Sequence, residues 1–354
     1  MPDLRSNAER ALEALGVDVL VAAAPSTVTW LTGFHDDLVW GPAPFQVGPL
    51  AVVRGGERTL IVSSDQEADA AALGCAVVTY PGFGLDDPDP AGRQVEALRR
   101  LGLSGRVASE PGVLSAAAAA ILGEPVVDAR PELLRLQAVK SADEVERIRA
   151  AVRLADAGIA ACRAAATAGM REIDLWAEVL GGIERAAGSR TPVLADLVSG
   201  ARTEGIGGPP GERALEDGDV ILCDLSPRLR GWWADSCATI AVGQPPPELC
   251  RAHERAVQTL DALLDAIRPG LKASELDALG RARMDYPHHT GHGLGVTPHQ
   301  FPRIVPASAW TLEPGMVIAL EPGTYPGPWG VRVERVALVT EDGCEVLSGH
   351  SLDL

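Results

Sequence analysis

Two stretches of this 354-residue chain carry acidic residues in a pattern suited to holding cations. DVILCDLSPRLRGWWADSCATIAV reads as strand, turn, strand, with Pro227 and Gly231 in the connection. Asp224 and Asp235 lie symmetrically about that turn, so a regular hairpin would set them opposite one another. GMVIALEPGTYPGPWGVRVERVALV repeats the arrangement, with Glu321 and Glu334 symmetric about Pro326-Gly327-Pro328. Like charges opposed across a ladder destabilise it, and on apolar strands they call for cations or shifted protonation. Any one pair could be solvent-facing strand carboxylates, which are common. Four at matching hairpin positions make that explanation harder to sustain. The histidines add a nitrogen donor. Four of the seven fall in HHTGHGLGVTPH, from His288 to His299, and the glycines flanking His292 permit close backbone approach. This segment is no dinucleotide loop, because its glycine spacing is not GxGxxG and no strand–helix unit surrounds it. His35, His253 and His350 stand alone and read as structural.

The elements needed to position these groups follow from pattern. Residues 5–16 predict a helix, and VDVLVAAAP, PLAVVRGG, RTLIVSS and CAVVTYPG predict strands, with helical stretches at 92–102 and 114–122. The alternation indicates an α/β first domain over residues 1–130. A second domain, 139–354, opens at Ser141-Ala-Asp-Glu144, a capping-box pattern, with a helix running to about Gly169. Gly169-Met-Arg-Glu-Ile-Asp-Leu-Trp-Ala177 aligns with Gly270-Leu-Lys-Ala-Ser-Glu-Leu-Asp-Ala278. Each is followed by a strand pair with two carboxylates, which favours a duplicated half-domain.

Composition bounds the partners. Apolar residues make up 46% and charged residues 22%, as in globular proteins generally, while 48 acidic against 31 basic residues give −17. That field repels phosphate backbones and anionic lipid, so neither nucleic acid nor a membrane is expected as partner. The N-terminus lacks the apolar core of a signal peptide and no span-length apolar run occurs. Six scattered cysteines without a CxxC pair read as reduced thiols. A cytoplasmic protein is the expectation.

The motifs GDVILCDLSPRLRGWWADSCAT, HHTGHGLGVTPH, LEPGMVIALEPGTY and GVRVERVALVTEDG resemble those of the pita-bread metallopeptidases: prolidase, aminopeptidase P and methionine aminopeptidase, with creatinase a metal-free relative. Similarity extends upstream through LLRLQAVKSADEVERIRAAVRLAD, and TVTWLTGF resembles a creatinase-type N-terminal domain. The resemblance implies an α+β chain: a C-terminal pita-bread fold with a pseudo-twofold repeat, preceded by the α/β domain. It implies that Asp224 binds one metal, that Asp235 and Glu334 bridge two, and that His292 and Glu321 complete the second ion's ligands. His288 and His299 match catalytic histidines that handle protons and orient the substrate carbonyl, and His299 and Arg332 match substrate-binding positions. His289 matches no functional position and is read as a loop hydrogen-bonder. Two divalent ions follow, with manganese the leading choice and iron, cobalt or zinc compatible with the donors. Roughly 3.5–4 Å apart, such ions hold a bridging hydroxide and polarise a carbonyl. A homodimer is implied as well, with Trp30–Phe45, including Trp40 and Phe45, as lid or as core.

The chain also departs from the prolidase pattern. A His expected seventeen residues before the first metal Asp is Gly207, in EGIGGPPGER, and the Arg of DxTRT is Ala238, in DSCAT. Asp-x-Gly becomes Asp224-Leu225-Ser226, RARMDYP shortens the approach to HHTGHG, and Gln300 replaces an acidic neighbour of His299. The leading expectation is an Xaa-Pro dipeptidase or aminopeptidase-P-like hydrolase acting on small peptides. A same-fold metalloenzyme acting on a non-peptide metabolite is the alternative that Gly207 and Ala238 favour. A non-catalytic binding module is disfavoured because all five ligands are present.

Overall fold

The apolar runs of the N-terminal third become the strands of one mixed sheet. The computed structural model describes residues 5–36, 47–82, 85, 89–123 and 125–354. It divides into two compact units, Met1–Gln137 and Ala138–Leu354. The first contains α1 (Arg5–Leu15), β1 (Val19–Ala22), α2 (Pro25–Thr32), β2 (Leu50–Arg54), β3 (Glu57–Ser63), α3 (Glu67–Ala71), β4 (Ala76–Tyr80), α4 (Pro90–Arg100), β5 (Val107–Ser109), α5 (Ala116–Ala119) and β6 (Val126–Asp128). The strand order is β4-β3-β2-β1-β5-β6. β1, β2 and β3 pair antiparallel, while β3–β4, β1–β5 and β5–β6 are parallel. Parallel neighbours need crossovers, and α3 and α5 provide two of them. Val19, Val21, Val52, Ile61 and Leu98 form the core. Trp30 is buried in α2, whereas Trp40 and Phe45 of the expected lid lie outside the described residues.

The helix α6 (Arg130–Ala138) leads into the second unit, which opens with α7 (Ala142–Ala165). Ser141 and Glu144 form the expected capping box. The helix stops at Ala165 rather than Gly169, and Gly169 instead supplies the left-handed turn, φ 87°, toward α8 (Glu172–Ala187). Then come β7 (Val193–Ser199), β8 (Val220–Leu229), β9 (Trp232–Trp233) and β10 (Ser236–Ala241). A second helix pair follows, α9 (Pro247–Ala266) and α10 (Ala273–Arg281), with Gly270 at φ 85° between them. The remaining strands are β11 (Gly291–Gly293), β12 (Gln300–Ile304), β13 (Val317–Leu320), β14 (Gly323–Thr324), β15 (Val331–Arg332), β16 (Arg335–Val339) and β17 (Cys344–Val346).

The internal repeat is visible in hydrogen bonds. Gly169 N–H donates to Leu215 O and Leu215 N–H to Met170 O, both at 2.8 Å. In the second half Gly270 N–H donates to Leu312 O and Leu312 N–H to Leu271 O. Each half then builds an antiparallel sheet, β10-β8-β7 and β12-β11-β13-β16-β17. Leu260, Leu263, Leu276, Ile318 and Leu320 belong to the core that α9 and α10 share with the second sheet. All six cysteines are free thiols. Among the described residues, no helix is long and apolar enough to cross a membrane.

Candidate metal centre

The two hairpins deliver their carboxylates differently. In the second, β13 and β16 pair out to Leu320 and Arg335, so Glu321 and Glu334 are the next residues outward and face each other, as symmetry predicts. In the first, Asp224 pairs with Cys237, not with Asp235. The cause is the turn. β8 runs through Pro227, and the hairpin closes at Leu229 and Trp232, with Arg230 at φ 49° and Gly231 at φ 84°. Two consecutive left-handed residues make the tight turn that matches strand twist. Pro227 fits inside the strand because its carbonyl makes the bond, accepting from Ala234 N–H at 3.0 Å. Asp235 thus sits two residues from Cys237, on the same face as Asp224 by strand period. Ser226 Oγ donates to Asp235 Oδ1 at 2.9 Å.

His292 comes from the middle of the second sheet, flanked by β12 and β13. A Cβ on Gly291 would stand 2.1 Å from Ala319 O, and one on Gly293 2.2 Å from Phe301 O, so both glycines are required by close backbone approach. The His292 Nδ1–H donates to Gly293 O at 2.9 Å, which leaves the Nε2 lone pair facing the carboxylates. Nε2 is 3.5 Å from Asp235 Oδ2 and 3.7 Å from Glu321 Oε1. Asp235, His292 and Glu334 each bring a donor atom within 4.8 Å of the others, and all three are buried.

Burial acts on all four acids of the cluster, and mutual repulsion on Asp224, Asp235 and Glu334. Burial pushes the Asp235 carboxyl well above the usual range, and the neighbouring charges of Asp224 and Glu321 push it further. Burial and Asp235 do the same to Glu334. Asp224 is raised by burial, with Arg332 opposing. For Glu321 burial also acts upward, but the contacts with His289 and His292 outweigh it and hold the carboxyl at about 2. Burial holds the His292 imidazole down at about 4, neutral and able to ligate. Four converging carboxylates and one neutral imidazole fit divalent ions, which would relieve this repulsion.

The other expected residues line the same 430 Å³ cavity. His288 Nδ1–H donates to His289 O at 2.8 Å, and Nε2 lies 3.0 Å from Tyr325 Oη. The His299 ring lies 4.4 Å from that of His292, and burial lowers its pKa. Arg332 is buried, and its two terminal nitrogens are held by protein groups: Nη2 donates to Asp224, and Nη1 donates to Ile206 O at 2.8 Å and Tyr325 Oη at 3.1 Å.

Two residues lining or bordering the site, Tyr325 and Asp196, were not singled out by sequence, and a third makes a contact other than the one expected. His289, read as a loop hydrogen-bonder, instead puts Nε2 2.7 Å from Glu321 Oε1. Tyr325 joins Arg332 to His288. Asp196, opposite Asp224 across β7 and β8, lines the cavity beside Gly207. His253 and His350 lie elsewhere, His253 buried in α9 and His350 bonded to Asp156 at 3.0 Å.

Comparison with known proteins agrees with this architecture. A model of "Metallopeptidase family M24" matches residues 146–341. The "Xaa-Pro dipeptidase" of Pyrococcus furiosus is 32% identical over 228 residues, 62% of this chain and 65% of that relative. The "Probable dipeptidase PepE" of Mycobacterium tuberculosis is 30% identical over 290 residues, 78% of this chain and 76% of the relative. The solved structure of the prolidase from Pyrococcus furiosus superposes with a TM-score of 0.80 at 25% identity, covering 96% of this chain and 98% of that one. The chain therefore belongs to metallopeptidase family M24, as a metallopeptidase-like hydrolase with a pita-bread catalytic domain.

Proposed function

We propose that the protein is a dinuclear-metal peptidase of the Xaa-Pro dipeptidase or aminopeptidase P type, acting on small peptides. The observation that carries this reading is the convergence of Asp224, Asp235, His292, Glu321 and Glu334 on one cavity. Asp224 would hold one ion, Asp235 and Glu334 both, and His292 and Glu321 the other. Divalent ions there would polarise the scissile carbonyl and acidify water. The oxygen-rich donor set suits manganese best, with iron, cobalt and zinc as alternatives.

The chain's own groups complete the chemistry. Ser226 orients Asp235, and Arg332 restrains Asp224. His288, neutral because burial lowers its pKa, lines the cavity and would exchange protons with a substrate there, while Tyr325 fixes the orientation of its ring. His299 orients the substrate carbonyl, and Arg332, already committed to Asp224, shapes the binding pocket rather than offering a free guanidinium. The homodimer and cytoplasmic setting expected from sequence belong to the same proposal.

Elemental analysis after reconstitution, with a panel of Xaa-Pro dipeptides assayed in manganese, cobalt, iron and zinc, tests the reading. Two ions per chain and Xaa-Pro hydrolysis are expected. Asp235→Ala should lose metal and activity together, since it removes a shared ligand. Less than one ion per chain in the wild-type protein refutes the dinuclear site. A second reading, a non-peptide substrate, is favoured by Gly207 and becomes the better one if a fully loaded protein leaves every Xaa-Pro peptide intact.

A further inference from the structure

Gly207 stands in a loop where a prolidase-type imidazole would be expected, and strand β7 fills its place. A Cβ on Gly207 would lie 2.0 Å from Asp196 Oδ2 and 2.5 Å from its carboxyl carbon. The carboxylate of Asp196 therefore occupies the volume that any side chain at 207 would enter. It is anchored there, because Gly208 N–H donates to Asp196 Oδ1 at 2.9 Å. The loop itself is pinned by the bond from Arg332 Nη1 to Ile206 O, with Ile206 held at φ 75°. That conformation is costly for a β-branched residue and persists only where the surroundings impose it.

Anchored at one oxygen, Asp196 keeps the other for something else. Oδ2 is 3.9 Å from Arg332 Nη2, beyond hydrogen-bond reach, and that guanidinium nitrogen already serves Asp224. The side chain remains 41% exposed while lining the cavity, unlike the buried carboxylates Asp235 and Glu334. It is thus a partly exposed carboxylate lining the cavity, outside the proposed metal ligands, whose neighbouring cation, Arg332 at 3.9 Å, already donates to Asp224.

We propose that Asp196 is a specificity-determining residue that accepts a cationic group of the substrate, either a free α-ammonium or a basic side chain. The proposal rests on reading the cavity as a substrate site, and its test separates recognition from turnover. Three probes without an Xaa-Pro bond are titrated into the metal-loaded protein: alaninamide, Nα-acetyl-lysinamide and N-acetylalaninamide. They carry an α-ammonium, a side-chain ammonium and no charge.

A charge-assisted hydrogen bond is worth about tenfold or more in affinity. At least one cationic probe should therefore bind about tenfold more tightly than the neutral amide, and which one does so identifies the group recognised. Asp196→Asn should bring that preference to near parity, with binding of the neutral amide and metal content unchanged. Gly207→Ala keeps the charge but places a methyl where the carboxylate stands, so it should reduce the preference without abolishing metal binding. This second variant decides the question if Asp196→Asn does not fold. No cationic preference in the wild type overturns the proposal. So does a preference that neither variant alters, or an equal loss for all three probes. If the cationic preference behaves as expected while no Xaa-Pro peptide is cleaved, the peptidase reading falls and the assignment of Asp196 stands.

Discussion

At the scale of single residues, the groups that sequence reveals are those whose chemistry is paired. Asp224, Asp235, Glu321 and Glu334 are legible because four acids recur at matching places on apolar strands, and His292 because glycines crowd it. Tyr325 carries no such mark: one tyrosine in a Pro/Gly-rich connection signals nothing until its hydroxyl is seen between Arg332 and His288. Replacing it tests that link. Tyr325→Phe removes both hydrogen bonds but leaves Arg332 bonded to Asp224 and Ile206, so fold and metal content should hold. The His288 imidazole loses its orienting partner, and kcat should fall by roughly 10²-fold, the low end for a positioned proton-transfer group, with KM little changed. An unchanged kcat would remove Tyr325 from the mechanism. Asp196 was illegible for another reason, since its relation to Gly207 spans two elements. That relation also alters what Gly207→His can achieve. Alone, the new side chain meets the Asp196 carboxylate and should not raise Xaa-Pro turnover. Combined with Asp196→Ala it has room, and steady-state assays should find turnover higher in the double variant than in Gly207→His.

At the scale of elements, strand periodicity and capping located most of the pieces, but hairpin register depends on which two residues form the turn. Symmetry about Pro326–Pro328 placed Glu321 opposite Glu334, consistent with the β13–β16 pairing. Symmetry about Pro227 and Gly231 misplaced Asp235, because Pro227 reads as a turn residue and yet lies within β8. A centre misjudged by one residue shifts the partner by two, which preserves the face. Both acids therefore reach the site despite the wrong register. The helices hold a separate consequence for pH. His253, on α9, is buried, and its Nε2 makes no hydrogen bond among the described residues. Burial drives its imidazole down to about 4, with Arg163 adding to the effect and Asp353 opposing it. In the unfolded chain the ring takes up a proton nearer pH 6.5, so the unfolded state binds it first as pH falls. Stability from this group is complete above about 6.5 and is lost progressively toward about 4. Denaturant titrations should show His253→Leu sparing about 1–3 kcal/mol of the acid loss across that window. Parallel pH profiles for the two proteins would clear His253 of the effect.

At the scale of the whole catalytic unit, the proposed ligands come from both halves of the repeat. Asp224 and Asp235 belong to the β8–β10 hairpin, while His292, Glu321 and Glu334 belong to the second sheet. The halves meet next to the site, where Glu334 N–H donates to Cys237 O at 2.9 Å, Thr239 Oγ1 donates to Arg332 O at 2.7 Å, and Arg332 N–H donates back to Thr239 Oγ1. Duplication thus accounts for a shared site at the seam, and cations held there would tie the two sheets together. Ions that bind only the folded state stabilise it by about 2.7 kcal/mol at a hundred times their dissociation constant. Chelation should therefore lower the melting temperature, by several degrees for a unit of this size. The loss should also be local, since without cations the repulsion falls on Asp235 and Glu334 at the starts of β10 and β16. Hydrogen exchange should accelerate on metal removal in β8, β10, β13 and β16 and leave the β1–β6 sheet unchanged. Uniform acceleration over both units, or none in either hairpin, would show that the ions do not bridge the two halves.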